Sequence, residues 1–174
     1  MSEIPLDLRY EPVMPADLTP GIGCIGAGFI MADCHLVAYR NAGFNPVAIA
    51  NRTRSKAEEV AKRHGIEKVY EDYEELLADP AVEVVDIALP PDLQRGVVDR
   101  ICEGYAGKIR GILAQKPLAM TYEDARHIVE TCAAAGITLA VNQNMRYDQS
   151  IRALKDLLGR GLLGEPVLAT IDMR

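Results

Sequence analysis

Short apolar runs alternate with amphipathic stretches from Gly21 onward, and this alternation predicts the fold. Six apolar runs have the length of buried strands: 22–25, 46–50, 69–70, 84–89, 111–114 and 137–141. The stretches with helical spacing between them are 29–41, 55–64, 73–77, 93–103 and 121–134. Strands that are apolar throughout and are joined by helices form parallel sheets covered on both faces. We therefore predict an α/β fold with a doubly wound parallel (Rossmann) sheet over residues 21–147.

The two ends of the chain differ from this middle part. Residues 1–20 contain four prolines, too many for a helix or a central strand, so we predict an extended arm that lies on the domain surface or reaches a partner subunit. Residues 148–174 are predicted to begin a second α/β domain, with a helix capped by Asp148 and an alternating strand at 167–173. No later segment could pair with that strand, which indicates a truncated domain.

Two helix starts carry the capping-box pattern, in which a Ser or Thr is followed three residues later by an acidic residue. The first runs from Ser55 to Glu58, and the second from Thr121 to Asp124. Gly65 and Gly136 are placed where the corresponding helices should end.

Composition excludes several function classes. The formal net charge of −6 disfavours nucleic acid and anionic membranes as partners, because both repel an acidic protein. The four cysteines form no CxxC pair, so neither a zinc site nor a redox disulfide is indicated, and we expect no metal. No apolar run has the length or flanks of a signal peptide or a membrane span. We expect a cytoplasmic protein with reduced thiols.

The strongest chemical signal is the glycine pair Gly26 and Gly28, directly after the first apolar run. In a dinucleotide site the first glycine permits the tight strand-to-helix turn and the second lets the pyrophosphate approach the backbone. The helix N-terminus then supplies free N–H donors and a partial positive charge. Met31 occupies the third position, where Gly or Ala is usual, so the helix is expected to pack farther from the sheet.

The residues after the second strand bear on the choice of cofactor. A NAD site usually has Asp or Glu there to hold the ribose hydroxyls, whereas this chain has Asn51, Arg52, Thr53 and Arg54. The two arginines could pair with a 2′-phosphate, and Asn51 and Thr53 could donate hydrogen bonds. We therefore favour NADP over NAD. In the alternative, the arginines face solvent and stack on adenine.

Several segments together resemble the glucose–fructose oxidoreductase and inositol dehydrogenase (Gfo/Idh/MocA) family, over residues 21–174. The matching motifs are the glycine loop with Phe29 and Ile30, Asn-Arg-Thr at 51–53, the strand 85–89 with Pro90-Pro91, Gln-Lys-Pro-Leu at 115–118, and Asn-Met-Arg-Tyr-Asp at 144–148. The resemblance implies an N-terminal Rossmann domain and a C-terminal α/β domain that supplies the substrate pocket and often mediates dimers. It also implies oxidation or reduction of sugars, polyols or inositols, and a homo-oligomer when full length.

By this resemblance Lys116 is the candidate catalytic residue, beside the nicotinamide and the reacting hydroxyl. An ammonium at the C-terminal end of a parallel strand would stabilise negative charge developing on the substrate oxygen. The residues expected to contact the cofactor are Gly26, Gly28, Phe29, Ile30, Asn51, Arg52, Thr53, Arg54, Leu89, Pro90, Leu93, Gln115, Lys116, Asn144 and Arg146. For Arg146, a purely structural role at the domain junction is an equal alternative.

Besides Met31, two residues depart from the family pattern. Gln115 stands where glutamate is usual, and Gln94 where histidine is common. The resemblance places the acid–base Asp and His in the second domain, and none of His35, His64 and His127 takes their place. We expect these three histidines to be structural or solvated. Because hydride transfer needs a proton acceptor within reach, this fragment is predicted to bind dinucleotide weakly and to be inactive.

Two other functions compete with the truncated NADP-dependent dehydrogenase. A non-catalytic dinucleotide sensor of the same family would explain Gln94 and Gln115, although the retained Lys116 argues against it. A methyltransferase is weaker, because its glycine loop is accompanied by an acidic residue that holds the ribose, and the second strand lacks one.

Overall fold

The protein is described by a computed structural model that covers residues 7–172. Six strands form one sheet: β1 (Gly21–Ile25), β2 (Asn45–Ala50), β3 (Lys68–Tyr70), β4 (Val84–Ile87), β5 (Gly111–Gln115) and β6 (Thr138–Asn142). Their spatial order is β3-β2-β1-β4-β5-β6, and every pairing is parallel. This is the doubly wound Rossmann order, so the predicted fold class is confirmed. The order reverses beside β1, where ligands bind in such sheets.

Helices cover both faces of the sheet. They are α1 (Leu36–Ala42), α2 (Arg54–His64), α3 (Tyr73–Ala78), α4 (Pro91–Gly104) and α5 (Tyr122–Ala134), and a π-helical turn (Ile30–His35) leads into α1. One apolar cluster joins the sheet to α1 and α2 through Leu36 and Val60. The other joins it to α3, α4 and α5, with Leu76, Val98 and Ile128 fully buried. Each such aliphatic side chain contributes roughly 1.5–3 kcal/mol on burial.

The start of the first helix differs from the prediction. The stretch 29–41 was expected to be an α-helix throughout, but its first part is a π-helix that ends at His35. Met31, in the third glycine position, is fully buried within this turn. Gly43, with φ at +78°, ends α1 in the left-handed conformation that glycine adopts most easily.

One predicted capping box is confirmed and the other is wrong. Thr121 accepts the N–H of Asp124 at 3.1 Å and caps α5. Helix α2, in contrast, begins at Arg54. The carbonyl of Thr53 already accepts the N–H groups of Lys56 and Ala57, so Ser55 lies inside the first turn and cannot be the cap.

The chain divides into two compact units. One is Ala16–Asn142, which holds the whole sheet, and the other combines the described residues 7–15 with residues 143–172. The predicted boundaries at 20/21 and 147/148 remain predictions.

In the second unit a 3₁₀ turn (Asn144–Tyr147) precedes α6 (Gln149–Gly159), which Asp148 caps as expected. The described part of the arm bonds to this helix, since the Arg152 guanidinium donates to the carbonyl of Tyr10 at 2.6 Å. The predicted strand at 167–173 is wrong for the described residues 167–172, which form no strand. Among the described residues no segment pairs with them, and a lone strand leaves its backbone groups without partners.

None of the helices within residues 7–172 is both long and apolar enough to cross a membrane.

Candidate functional site

The turn after β1 requires glycine at one position and leaves open space at another. Gly26 has φ at +102°, and a Cβ there would lie 2.7 Å from the carbonyl oxygen of Ala88. At Gly28 a Cβ would meet nothing within 4 Å. Gly26 is therefore needed by the fold, whereas Gly28 borders an open space beside bare backbone.

Strands β1 and β4 meet at this turn. The N–H of Ala88 donates to the carbonyl of Ile25 at 2.9 Å, and a Leu89 methyl would lie 3.4 Å from a Cβ on Gly26. Pro90 follows and caps α4. The structure thus brings Gly26 and Leu89 together at the reversal of strand order, where an open α/β sheet binds its ligand.

Three of the expected cofactor contacts are apolar side chains that remain exposed. The exposed fractions are 71% for Phe29, 38% for Ile30 and 42% for Leu93. Phe29 and Ile30 directly follow the glycine turn, and Leu93 lies in the first turn of α4. An exposed apolar group next to an open backbone turn suits the aromatic rings of a dinucleotide.

The residues after β2 differ in the contacts that they make within the protein. The Asn51 carboxamide accepts the N–H of Ala27 at 3.2 Å and donates to the Thr53 carbonyl at 2.9 Å, so it ties the glycine turn to the end of β2. The Arg54 guanidinium pairs with Glu58 at 2.9 Å. Arg52 is exposed, and no hydrogen bond or ion pair engages its guanidinium within residues 7–172. Of the two arginines, Arg54 thus already shares one N–H group with a carboxylate, whereas the whole Arg52 guanidinium can face an anion.

Lys116 lies directly after β5, at the C-terminal edge of the sheet, and its side chain is exposed. The peptide bond between Lys116 and Pro117 is cis. The N–H of Lys116 donates to the side-chain oxygen Oε1 of Gln115 at 2.8 Å. The lysine-bearing segment 115–118, called the lysine loop below, is thus held by its own first residue.

Sequence reasoning missed the positioning role of Gln94. This side chain is fully buried, and its Oε1 accepts the N–H of Gln115 at 2.7 Å. Its Nε2 lies within hydrogen-bonding distance of three carbonyl oxygens of the lysine loop, those of Gln115 (3.0 Å), Pro117 (2.9 Å) and Leu118 (3.3 Å). The sequence signal was present, because Gln94 departs from the family pattern one turn into α4. Its partners became visible only with the fold.

The three histidines are engaged by protein groups. His35 is buried, with Nδ1 2.7 Å from Asp86. His64 Nε2 lies 2.7 Å from the Ala32 carbonyl, and His127 Nε2 lies 2.7 Å from Asp99. No group of three His, Cys, Asp or Glu side chains in the described part of the chain has the arrangement of a metal site.

Asn144 and Arg146 do not belong to the unit that contains the sheet. Both are exposed residues of the 3₁₀ turn in the other unit. Their expected contact with the cofactor therefore remains a prediction.

Residues 21–143 match the profile of the Gfo/Idh/MocA oxidoreductase family, described as an NAD-binding Rossmann fold. The chain belongs to this family. The resemblance inferred from the motifs, to a family of oxidoreductases, is thereby confirmed. The dinucleotide-binding domain of the Gfo/Idh/MocA family is the part that contains the glycine turn and the lysine loop.

The chain is similar to reductases and oxidoreductases with different names. A 1,5-anhydro-D-fructose reductase from Ensifer adhaerens is 33% identical over 149 residues, which are 86% of this chain and 44% of the reductase. Among solved structures, an oxidoreductase from Agrobacterium radiobacter in complex with NAD+, L-tartaric acid and magnesium is 33% identical, with a TM-score of 0.78, and the match covers 85% of this chain and 42% of that one. A mutant 3-ketoreductase from Actinomadura kijaniata in complex with TDP-benzene and NADP is 29% identical, with a TM-score of 0.71, over 83% of this chain and 45% of that one.

The chain thus spans less than half the length of each of these relatives. Both NAD and NADP occur in the structures of similar proteins.

Proposed function

We propose that this chain is the cofactor-binding half of an enzyme that transfers a hydride between NADP and a sugar, a polyol or an inositol-like compound. The observation that carries the proposal is the open backbone at Gly28, which lies after β1 at the reversal of strand order. A side chain there would occupy the space in which a pyrophosphate approaches the helix N-terminus. The relatives support the substrate class, since one reduces 1,5-anhydro-D-fructose.

When bound, the dinucleotide supplies a nicotinamide ring that accepts or donates the hydride. Lys116 is the proposed catalytic residue of this chain. Its ammonium would lie beside the reacting oxygen and stabilise the negative charge that develops there while the hydride moves. Gln94 and Gln115 would hold the lysine loop in place for this task.

The preference for NADP rests on the residues after β2. No carboxylate stands at positions 50–54 to repel a 2′-phosphate, and the Arg52 guanidinium is available. Arg54 is less suited, because Glu58 already holds its guanidinium. Arginine pairs with phosphate through two parallel hydrogen bonds, which favours it at such a position.

We also propose that residues 1–174 alone bind dinucleotide without turnover. Oxidation of an alcohol releases a proton from the hydroxyl, and a base within hydrogen-bond reach must accept it. His35 is buried against Asp86, His64 Nε2 lies 2.7 Å from the Ala32 carbonyl, and His127 Nε2 lies 2.7 Å from Asp99. The sensor hypothesis loses support, because Gln94 and Gln115 both form hydrogen bonds that hold the lysine loop, and a catalytic domain needs these bonds as well.

Isothermal titration calorimetry with NADPH and NADH tests the proposal. We expect NADPH to bind more tightly than NADH. Arg52→Gln should weaken NADPH binding by about ten- to one-hundred-fold with little change for NADH, since one charge-assisted phosphate contact contributes roughly 1.5–3 kcal/mol. Arg126→Gln is the matched control, because Arg126 is an exposed arginine of α5. Tighter binding of NADH would overturn the preference for NADP. If neither dinucleotide bound, the proposed cofactor-binding function would be wrong. Rapid oxidation of any polyol by the 174-residue chain would contradict the proposed binding without turnover.

A further inference from the structure

A buried polar cluster lies beneath the C-terminal ends of three strands, and the proposed reaction leaves it unassigned. Its centre is the pair His35 and Asp86, which are 7% and 1% exposed. His35 Nδ1 is 2.7 Å from Asp86 Oδ2, and the hydroxyl of Tyr39 donates to the same oxygen at 2.6 Å. The other carboxylate oxygen of Asp86, Oδ1, is buried and accepts no hydrogen bond from the described residues. A charge held this far from water needs its partners.

The opposite nitrogen of the imidazole faces two carboxamides. His35 Nε2 lies 2.5 Å from Asn142 Nδ2 and 3.4 Å from Gln115 Nε2. Gln115 and Asn142 are register partners, at the last positions of β5 and β6. The histidine therefore connects the middle of β4 with the edge of the sheet that carries Lys116.

The backbone of Lys116 determines which way the protons point in this cluster. Because its N–H can only donate, the Gln115 atom 2.8 Å away must be the oxygen. The Gln115 nitrogen then faces His35 Nε2 at 3.4 Å, and the Asn142 nitrogen lies closer, at 2.5 Å. Both carboxamide nitrogens can only donate, so Nε2 of the imidazole accepts. A neutral imidazole that accepts at Nε2 carries its proton on Nδ1. The Nδ1–H group then donates a hydrogen bond to Asp86 Oδ2.

We propose that His35 is a positioning residue, a neutral imidazole held by Asp86 that orients the Gln115 carboxamide toward the backbone of Lys116. If Nε2 carried a proton, it would meet the Gln115 donor. The carboxamide would then turn its oxygen to His35 and release the Lys116 N–H. The link to catalysis rests on the proposed function, whereas the protonation and orientation do not.

The other ionisable groups around Asp86 do not compete for this proton. Burial and the negative charge of Asp86 raise the pKa of the Cys24 thiol well above its usual value. The same two causes raise the pKa of the Tyr39 phenol. Both groups therefore remain protonated near neutral pH, and Tyr39 donates to Asp86 instead of accepting from His35.

Long-range ¹H–¹⁵N NMR of the histidine rings in the ¹⁵N-labelled 174-residue chain, without dinucleotide, tests the protonation. We expect His35 to give the pattern of a neutral ring with its proton on Nδ1. A carboxylate cannot donate, so Gln115→Glu should move a proton onto Nε2, while the exposed control Gln149→Glu should leave the pattern unchanged. A proton on Nε2 in the wild-type chain would overturn the inference.

Amide hydrogen exchange at Lys116 tests the positioning. His35→Asn keeps a donor near Asp86 but offers no acceptor to Gln115, so exchange at Lys116 should accelerate about three- to ten-fold, corresponding to the loss of one hydrogen bond. His35→Gln is long enough to offer such an acceptor and should restore protection to within about two-fold. Equal protection in both variants and the wild type would refute the positioning role. If neither variant folds, the wild-type ring pattern still decides the protonation. Calorimetric titration with NADPH tests the proposed function independently of these two experiments.

Discussion

The side chain of Gln94 forms two hydrogen bonds with the backbone of Gln115. Its Oε1 accepts the Gln115 N–H at 2.7 Å, and its Nε2 lies 3.0 Å from the Gln115 carbonyl. One carboxamide on α4 thus forms hydrogen bonds with both the backbone N–H and the backbone carbonyl of the residue before Lys116. Neither histidine nor an apolar residue offers the same pair of groups in a planar fork.

The first prediction is that Gln94→Leu destabilises the domain. The change keeps the volume but leaves the Gln115 N–H and the Pro117 carbonyl without their partner, and each such buried group costs about 1–3 kcal/mol. Urea denaturation should show this loss, and calorimetry should show weaker NADPH binding where the variant folds. Gln149→Leu, at an exposed position, should stay within about 0.5 kcal/mol of the wild type. Equal stability of the Gln94 and Gln149 variants would show that the contacts to the lysine loop are dispensable.

The second prediction separates the two glycines of the turn. Gly26→Ala should lower the free energy of unfolding by about 1–3 kcal/mol, because φ is +102° and the new Cβ would lie 2.7 Å from a carbonyl oxygen. Gly28→Ala should unfold like the wild type, because nothing lies within 4 Å of its Cβ. The same methyl should raise the Kd for NADPH about ten-fold, equivalent to roughly 1.4 kcal/mol. Unchanged affinity in Gly28→Ala would place the pyrophosphate elsewhere.

The third prediction concerns Glu58, which holds the Arg54 guanidinium at 2.9 Å. Glu58→Gln releases this arginine and removes a negative charge near the end of β2. We expect NADPH to bind about two- to five-fold more tightly relative to NADH, while helix stability falls by no more than about 0.5 kcal/mol. Glu59→Gln removes the same charge from the next residue of α2 and should change the ratio less. If both variants change the ratio of the NADPH and NADH affinities equally, the change reflects net charge and not the release of Arg54.

The fourth prediction concerns stability against pH at Asp79, in the loop after α3. Burial raises the pKa of this carboxyl, but hydrogen bonds from Lys68, the Ala81 N–H and Tyr70 together lower it by more. The pKa of Asp79 therefore lies below its usual value of 3.8. Its contribution is therefore present at neutral pH and is lost as the pH falls through the lowered folded-state pKa.

Asp79→Asn should accordingly destabilise the domain at pH 7, by about 1–3 kcal/mol, and differ less from the wild type as the pH falls below 4. Urea denaturation over this range measures the difference. Lys68→Met removes the cation 2.8 Å from the carboxylate and should weaken the same pH dependence. A gap between Asp79→Asn and the wild type that stays constant with pH would contradict this assignment.

The sequence by itself determined the fold class and the glycine turn. Continuous apolar strands such as 111–114 indicate a parallel sheet because both of their faces must be buried. Gly26 and Gly28 follow the first strand in the order that is typical of a dinucleotide-binding turn. Local signals were less consistent: the predicted cap at Thr121 was right, whereas the predicted cap at Ser55 lies two residues after the true N-cap, Thr53.

Only the tertiary structure decided how the site is held. Gln94 meets the lysine loop 21 residues away, and His35 meets Asp86 and Asn142 across 51 and 107 residues. These partners depend on which strand ends lie side by side, and that follows from strand order and register, which no local pattern encodes. A buried side chain that bonds to a distant backbone looks in sequence like any other polar residue on a helix. The role proposed for Lys116 could thus be predicted from its motif, but the side chains that hold its loop became visible only when the strands were brought together.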